Sequence, residues 1–386
     1  MKRFIIILCI FLTFNYNSIS QIILTEANIT FGPQTYVLVS AGVAGVTVPA
    51  EGNNQNWNYS NLGVIGINAD NYVTPPTNSI AGATFADTAI AVTFFSSATY
   101  YKDDYWTKDA ASTRILGSVI KKQSYNISSL TGGANDSCKI PAQVIMYNNP
   151  IKIINYPATM NSKWISNYID KIDFILNIPS YFINNANCYK ISHITVKDSV
   201  VGWGSMVIPT LLGPSQPYNV LMVKQNLVAV DSFYINNAPA SPFVLSLFGL
   251  SQGQQHVDNR YIFWRENSAI PLLEFRFAND NYTSPAEIYF DGQIATNIDE
   301  NNTPAQNENT QILIYPNPAS EKVSVKGCYN SKIQVYDLTG KELYSCLSDS
   351  YVHDIFLNDF ISGTYLIKIT NNDNNVLSKL FNVIKH

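Results

Sequence analysis

Apolar and polar residues alternate with a period of two along most of the chain, which predicts β-strands rather than helices. The clearest run covers residues 164–177, where Tyr168, Ile172 and Phe174 interleave with charged residues and predict one long strand. Residues 259–277 contain two apolar runs joined by a polar turn, the pattern of a β-hairpin. The sequence therefore predicts an all-β protein in which one or two β-sandwiches occupy most of the length.

Turn residues divide the remaining apolar runs into further strands. Residues 200–224 predict a strand, a loop rich in Pro and Gly, and a returning strand. Asn148-Asn149-Pro150 separates the apolar runs 144–147 and 151–156, and this pattern predicts a second hairpin.

One polar segment divides the chain into two predicted domains. Residues 298–311 show no apolar periodicity and are rich in Asn, Gln and Glu, which is typical of a linker. The linker separates a large region, residues 21–297, from a C-terminal segment, residues 312–386.

The C-terminal segment contains six or seven short alternating runs, each closed by turn residues. Tyr315-Pro316-Asn317-Pro318 ends the first run, because proline has no amide hydrogen to donate to a sheet. Gly340 can adopt the positive φ that a tight hairpin needs, and Gly363 precedes the longest run, which contains Tyr365. So many strands in so short a segment predict a small Ig-like β-sandwich, which hides two apolar faces against each other.

Four landmarks in this segment resemble the C-terminal sorting domain of type IX secretion substrates of Bacteroidetes, in its type A (Por secretion) form. They are YPNP at 315–318, VYDLTGKEL at 335–343, SGTYLIKI at 362–369 and the closing pattern Lys379-x-Phe381-x-Val383-x-Lys385. The resemblance implies that the domain docks on the outer-membrane translocon and is removed by a C-terminal signal peptidase. The protein would pass through the periplasm and be secreted, or be attached to lipopolysaccharide at the outer-membrane surface. Residues 21–297 would then be the exported passenger; the alternative is an ordinary Ig-like accessory domain.

Residues 1–20 have the three-part pattern of a secretory signal peptide. Two basic residues precede the uncharged apolar run 4–14, and the small residues Ser18 and Ser20 predict cleavage before Gln21. A membrane anchor is the alternative, but the apolar run is shorter than the ~20 residues that a membrane span needs.

Composition excludes several classes of partner. Charged residues make up 13% of the 386 residues, the net charge is −4, and no Lys/Arg-rich cluster occurs, so nucleic acid is not an expected partner. No later run approaches ~20 apolar residues, so we expect no transmembrane segment. The sequence has no CxxC or paired-His spacing, so we expect no metal site, and no motif indicates a cofactor.

Four cysteines remain after signal-peptide removal, an even number that permits disulfides in an oxidising compartment. We predict the pairs Cys138–Cys188 and Cys328–Cys346, because each pair stays within one predicted domain. Cys138 and Cys188 both follow polar, turn-rich segments and precede apolar runs, so both are expected at strand starts. The other connectivities remain open, and four isolated buried thiols are the alternative.

The sequence offers few candidates for catalysis. No G-x-S-x-G or H-E-x-x-H motif occurs, and the mature chain has four histidines: His193, His256, His353 and His386. His256 and Asp258 would share one face of a strand as half of an acid–base or metal pair, or else belong to a polar loop. A glycosidase needs two facing carboxylates, and the candidates are too many to choose among: Asp103, Asp104, Asp170, Asp173 and Glu274.

Aromatic residues in polar surroundings indicate function more directly, since sugar rings stack on exposed aromatic faces. The candidates are Trp57, Tyr59, Tyr100, Tyr101, Tyr105 and Trp106. Half-buried packing of alternate strand residues is the alternative for them. We therefore predict a non-catalytic binding or surface module with glycans as a partner. The alternatives are a secreted hydrolase acting on polysaccharide or peptide, and a structural adhesin-like component.

Overall fold

The computed structural model describes residues 21–385 with the exception of 77–79, 96–97, 211–212, 279–280, 297–312, 327, 329, 351 and 371–375. The predicted signal peptide (1–20) and the predicted linker (298–311) lie outside the described residues. The all-β prediction is confirmed, because the described residues form 25 strands and only short helices. Within this part of the chain, no helix is long and apolar enough to span a membrane.

The predicted passenger contributes eighteen strands. The first nine are β1 (Gln34–Ala41), β2 (Gly52–Asn58), β3 (Val64–Val73), β4 (Phe85–Phe95), β5 (Ala98–Lys108), β6 (Ser112–Ile120), β7 (Gln123–Asn126), β8 (Ser137–Ile140) and β9 (Gln143–Asn155). The next nine are β10 (Lys163–Ile178), β11 (Ile183–Val207), β12 (Pro209–Thr210), β13 (Gly213–Pro214), β14 (Tyr218–Ile235), β15 (Ala238–Pro239), β16 (Gln254–Arg265), β17 (Leu273–Ala278) and β18 (Pro285–Asp291). The helical elements are α1 (Ser128–Thr131), α2 (Pro242–Leu247), α3 (Gly292–Thr296) and the 3₁₀ turns Glu26–Asn28 and Pro179–Tyr181.

Sixteen of these strands form one sheet, and a sheet of this size twists and curls. Its order is β7-β8-β10-β11-β14-β16-β17-β18-β1-β3-β4-β5-β6-β9, with β15 added to β14 and β2 added to β11. The sheet curls until β9 meets β10. The amide of Ile169 donates to Asn148 Oδ1 at 2.9 Å, and the amide of Asp173 donates to Gln143 Oε1 at 2.9 Å. Side-chain amides of β9 therefore take the place of a backbone ladder at this seam.

The predicted hairpin at Asn148-Asn149-Pro150 is wrong, because β9 runs through these residues without reversing. Their polar side chains serve the seam instead: besides the Asn148 contact, Asn149 Nδ2 donates to the carbonyl of Asn167 at 2.9 Å. The other strand predictions are confirmed, namely the single strand β10, the hairpin of β16 and β17, and the returning pair β11 and β14.

The inner face of the curled sheet is the side that carries Tyr168 of β10. Strands that are distant in the sheet order meet there: the rings of Phe94 and Phe174 are 5.0 Å apart, and those of Tyr147 and Tyr168 are 4.9 Å apart. All four rings belong to one buried core. The core therefore fills the space that the sheet encloses.

Apolar residues close both ends of this inner space. At one end, Leu24 and Ile29, which follow the predicted cleavage site, are fully buried in one cluster with Trp164. At the other end, Val244 of α2 covers the core beside Phe174. Polar side chains between the two ends are consequently shielded from most of the solvent.

The C-terminal segment forms the predicted small sandwich. Its strands are β19 (Leu313–Tyr315), β20 (Lys322–Lys326), β21 (Ser331–Tyr336), β22 (Glu342–Ser348), β23 (Val352–Phe356), β24 (Gly363–Thr370) and β25 (Val376–Val383). They make a three-stranded sheet, β19-β20-β23, and a four-stranded sheet, β22-β21-β24-β25. A core of its own, drawn from residues 314–383, lies in this segment, as expected of an Ig-like sandwich.

Candidate functional site

Hydrogen bonds from the YPNP landmark link the start of the C-terminal sandwich to its last strand. Asn317 Oδ1 accepts the amide hydrogen of Asn382 at 2.8 Å, and Asn317 Nδ2 donates to the carbonyl of Leu380 at 3.4 Å. Pro316 and Pro318 flank this asparagine and have no amide hydrogens, so they end β19. The first and last landmarks of the segment are thus joined in space.

Two glycines and one tyrosine shape the other landmarks. Gly340 has the expected positive φ, 83°, in the turn between β21 and β22, where Asp337 Oδ1 accepts the amide hydrogen of Lys341 at 3.0 Å. Gly363 begins β24, and Tyr365 on that strand is buried, with its hydroxyl donating to a backbone carbonyl. These residues therefore support the fold of the sandwich.

The basic residues of the closing pattern differ in exposure. Lys385 Nζ donates to the carbonyl of Leu357 at 2.7 Å, which ties the end of the chain to the sandwich. Lys379 on β25 is exposed, and so is Tyr315 at the end of β19. Of the landmark residues described above, Tyr315 and Lys379 are thus exposed to solvent, while the others support the fold of the sandwich.

The passenger has a second candidate site on its inner face, which we call the inner charged layer. Strand alternation turns these side chains to the same side as Tyr168, in the space between the two apolar ends. The members are Asp70, Asp87, Lys102, Asp104, Ser118, Tyr147, Asp170, Lys190, Ser192 and Asp231.

Lys102 is the centre of the layer. Its ammonium lies 2.9 Å from Asp104 Oδ1 and donates to Ser118 Oγ at 3.3 Å and to the Tyr147 hydroxyl at 3.4 Å. Burial lowers the pKa of Lys102 and is the largest single effect, but the neighbouring acidic groups, Asp104 first among them, together outweigh burial and hold that pKa well above its usual value. The lysine therefore keeps its proton and cannot serve as a general base. Ser118 donates its own hydroxyl to Asp104.

Asp170 adds to the layer a carboxyl group whose Oδ1 takes no part in this hydrogen-bond network. Its Oδ1 is buried without a hydrogen-bond partner among the described residues. Burial raises the pKa of Asp170, and the charges of Lys102 and Lys190 offset that rise only in part. Asp170 is in register with Ser192, and Ser192 with Asp231, whose carboxylate accepts the serine hydroxyl at 2.6 Å.

The layer reaches the surface at β16. Asp231 Oδ2 lies 3.3 Å from Nε2 of His256, and the His256 side chain is exposed. The same oxygen lies 3.8 Å from Lys190 Nζ. His256 and Asp258 do share β16, as predicted for half of a pair, but Asp258 pairs with Arg260. The histidine therefore belongs with Asp231.

The five carboxylates considered for hydrolysis fall on opposite faces. Asp103 and Asp173 point outward, where they pair with Lys121 at 3.6 Å and Lys171 at 2.8 Å. Asp104, Asp170 and Glu274 point inward, and Glu274 accepts from two arginines, Arg260 and Arg276. Only Asp170, of these five, carries a buried oxygen without a partner.

Two further inward-facing aspartates, Asp87 and Asp198, have pKa values above the usual range. Burial raises the pKa of Asp87 to about 8, and the charges of Asp70 and Asp104 add to the rise. Burial likewise raises the pKa of Asp198 to about 7, against the effect of a hydrogen bond from Gln225 Nε2 at 2.8 Å. These carboxyls are therefore partly protonated near neutral pH.

The predicted exposure of most binding aromatics is wrong. The buried members of the set are Trp57, Tyr59, Tyr100, Tyr105 and Trp106. Trp57 donates its indole hydrogen to the carbonyl of Ala50 at 3.1 Å and packs edge-on against Phe263 at 5.0 Å. Tyr59 donates to the carbonyl of Thr47 at 3.0 Å. The carbonyls that accept these hydrogen bonds belong to residues 47–50, so the two rings anchor this segment on the outer face.

Tyr105 and Trp106 are neighbours that face opposite sides of β5. Trp106 stacks on Phe85 at 5.8 Å in the inner core, and Tyr105 lies under the segment that contains Ile80. Tyr101 is the one member of the predicted set that is exposed, at 54%.

Two exposed aromatics, Phe182 at the tip of the β10–β11 hairpin and Phe243 of α2, occur together with the half-buried Tyr181, and we call these three residues the aromatic end. Phe182 is 92% exposed and Phe243 of α2 is 59% exposed. The rings of Tyr181 and Phe243 are 5.4 Å apart. Residues 174–189 and 232–255 surround this end and contain no Lys, Arg, Asp or Glu. Those two uncharged stretches are the sequence signal that could have located it.

The predicted disulfides are wrong, since the structure gives all four cysteines as thiols: Cys138, Cys188, Cys328 and Cys346. Cys138 is in register with Leu176 of β10, and Leu176 with Ala186 of β11, so a whole strand lies between Cys138 and Cys188. Strands are about 4.8 Å apart, which places cysteines on alternate strands beyond the ~7 Å limit for a disulfide. Burial raises the pKa of Cys138 to about 12 and that of Cys188 to about 11.

The cysteines of the sandwich also have separate partners. Cys328 is buried, and its Sγ donates to the carbonyl of Val325 at 3.1 Å. Cys346 is only half-buried, and its Sγ lies 3.3 Å from His353 Nε2. The pair is therefore one buried thiol and one accessible thiol.

Comparison with known proteins identifies only the end of the chain. A family model described as a secretion system C-terminal sorting domain matches residues 313–384. No curated protein matches. Two solved structures from Porphyromonas gingivalis are distantly similar. PorZ, an essential bacterial surface component of its type IX secretion system, is 10% identical, with a TM-score of 0.20 over 79% of this chain and 58% of PorZ. Dimeric latent PorU is 11% identical, with a TM-score of 0.19 over 94% of this chain and 30% of PorU. The chain thus spans less than two thirds of either protein, and scores this low carry no structural argument.

Proposed function

From the identification of residues 313–384 as a type IX secretion system C-terminal sorting domain, we propose that residues 21–297 act as a non-catalytic binding module. The sorting domain places the protein outside the cell or at its surface, and the module would act there. Residues 298–311 would be the linker in this division. The translocon and its C-terminal signal peptidase would be the partners of the sorting domain.

The aromatic end is the observation that supports binding. Exposed apolar patches mark interaction sites on otherwise polar surfaces. Phe182 and Phe243 are exposed, and the Phe243 ring contacts that of Tyr181, the residue before Phe182. No charge lies in the flanking stretches, while exposed asparagines, among them Asn184 and Asn236, can hydrogen-bond to hydroxyl groups. Flat rings beside neutral polar groups fit an uncharged glycan.

The inner charged layer favours binding over hydrolysis. Lys102 is held in its charged form by Asp104, and the hydroxyl of Ser118 is committed to the same carboxylate. Nucleophilic catalysis needs a base that can accept a proton from the nucleophile. The layer is therefore best explained as a polar network that holds β5, β6 and β9 together.

A glycan array probed with the mature chain tests this function. We expect the double variant Phe182→Ser/Phe243→Ser to bind about thirtyfold more weakly, since each stacked ring contributes roughly 1 kcal/mol and two are removed. Tyr101→Ser removes an exposed aromatic elsewhere and should bind like the parent. Equal losses in both variants, or release of sugar from the array by the parent, would contradict the proposal.

A further inference from the structure

A thiol and an imidazole from different sheets meet in the C-terminal sandwich. Cys346 is on β22 of the four-stranded sheet, and His353 is on β23 of the three-stranded sheet. Cys346 Sγ lies 3.3 Å from His353 Nε2, and the Tyr344 hydroxyl lies 2.9 Å from the same nitrogen. Among the cysteines of the described residues, Cys346 alone is not fully buried.

This arrangement can activate the thiol. The lone pair of His353 Nε2 can take the proton from Cys346 Sγ, which leaves a thiolate beside an imidazolium, and the thiolate is the nucleophilic form of cysteine. Burial, and then the neighbouring Cys346, raise the pKa of Tyr344 to about 12. The tyrosine therefore keeps its proton and does not compete as a base, and its hydroxyl oxygen can accept the Nε2 hydrogen of the imidazolium once Cys346 has given up its proton.

We propose that Cys346 is a thiol-modification site whose reaction partner is a disulfide. The Cys346 thiolate attacks one sulfur of the disulfide, a new S–S bond forms and the original S–S bond breaks. The departing thiolate takes the proton that His353 received from Cys346. Cys346 is oxidised and the departing sulfur is reduced, so the exchange needs no other oxidant. Exported chains cross oxidising compartments, in which disulfides persist.

Titration of the folded chain of residues 21–386, which retains the sorting domain, with an aromatic disulfide reagent, dithiobis(nitrobenzoate), tests the site at pH 7. We expect one thiol per chain to react quickly and the other three to react only after unfolding. Cys346→Ser should abolish the fast reaction. His353→Asn should slow it about tenfold, because an unassisted thiol with a pKa near 8.5 is only a few per cent thiolate at this pH.

Two further measurements separate activation from simple exposure. Ser345→Ala changes the exposed neighbour of Cys346 on β22 and should leave the fast rate unchanged. The unfolded parent chain supplies the rate of an unassisted thiol, and folded Cys346 should exceed it. A folded rate at or below the unfolded rate, or an equal rate in His353→Asn, would overturn the proposal.

Discussion

The side chains of neighbouring aspartates 103 and 104 lie on opposite faces of β5, because a strand turns successive side chains to opposite faces. Asp104 points inward and lies 2.9 Å from Lys102, on side chains that are 11% and 14% exposed. Asp103 points outward and lies 3.6 Å from Lys121; the aspartate side chain is 13% exposed and the lysine side chain 82% exposed. The two ion pairs therefore compare a buried lysine with a solvated lysine, each beside a shielded aspartate.

Lys102→Met should cost roughly 3 kcal/mol of unfolding free energy or more, since it leaves a buried carboxylate without its counter-charge. Lys121→Met should cost less, about 1 kcal/mol, because this lysine is 82% exposed and water screens its charge. Urea denaturation of both variants measures the difference. Equal losses would show that the inner charged layer is more solvated than its burial implies.

Asp87 should make the passenger less stable as pH rises. Its folded pKa, about 8, lies above the ordinary value of 3.8, so the folded state binds this proton more tightly than the unfolded state. The stabilisation is complete below pH ~4 and is lost as pH rises through about 8. The Tm of Asp87→Asn should therefore fall less between pH 5 and pH 8 than the Tm of the parent. Asp173→Asn, on the outer face, should follow the parent; parallel curves for parent and Asp87→Asn would refute the assignment.

At the scale of elements, sequence alternation predicted the strands well, because burial on one face imposes a period of two whatever the tertiary context. It predicted β10, the β16–β17 hairpin and the seven-stranded sandwich. It could not predict that Asn148 and Asn149 contact β10, a strand distant in the sheet order. Asparagine and proline are common in turns, but they also occur where an edge strand is irregular, so the sequence pattern does not distinguish the two. For the same reason Trp57 was predicted to be exposed: its neighbours in sequence are polar, but its neighbours in space are Phe263 and backbone.

Asn148→Ala should loosen the seam between β9 and β10. The change removes the acceptor for the amide of Ile169, and one such hydrogen bond contributes about 1 kcal/mol. Hydrogen exchange at Ile169 should accelerate, while amides of β14, paired with β11 and β16, should exchange as in the parent. Unchanged protection of Ile169 would mean that the seam does not depend on this side chain.

At the scale of the whole molecule, the passenger sheet and the sorting domain have separate cores. Their sequences are joined by residues 298–311, whose composition favours an extended, cleavable linker. The exported passenger should accordingly end within or near that segment. Mass measurement of the mature protein tests the cut, and a mature species that still contains Lys385 would contradict it.

Deletion of residues 363–386 tests the central claim most directly. It removes β24 and β25, and with them Tyr365, Ile367 and Phe381 from the core of the sorting domain. Cells that express the truncated chain should hold the passenger in the periplasm, whereas the parent should appear on the surface or in the medium. Fractionation with a periplasmic marker enzyme controls for leakage. Normal appearance of the truncated passenger outside the cell would contradict export by this domain.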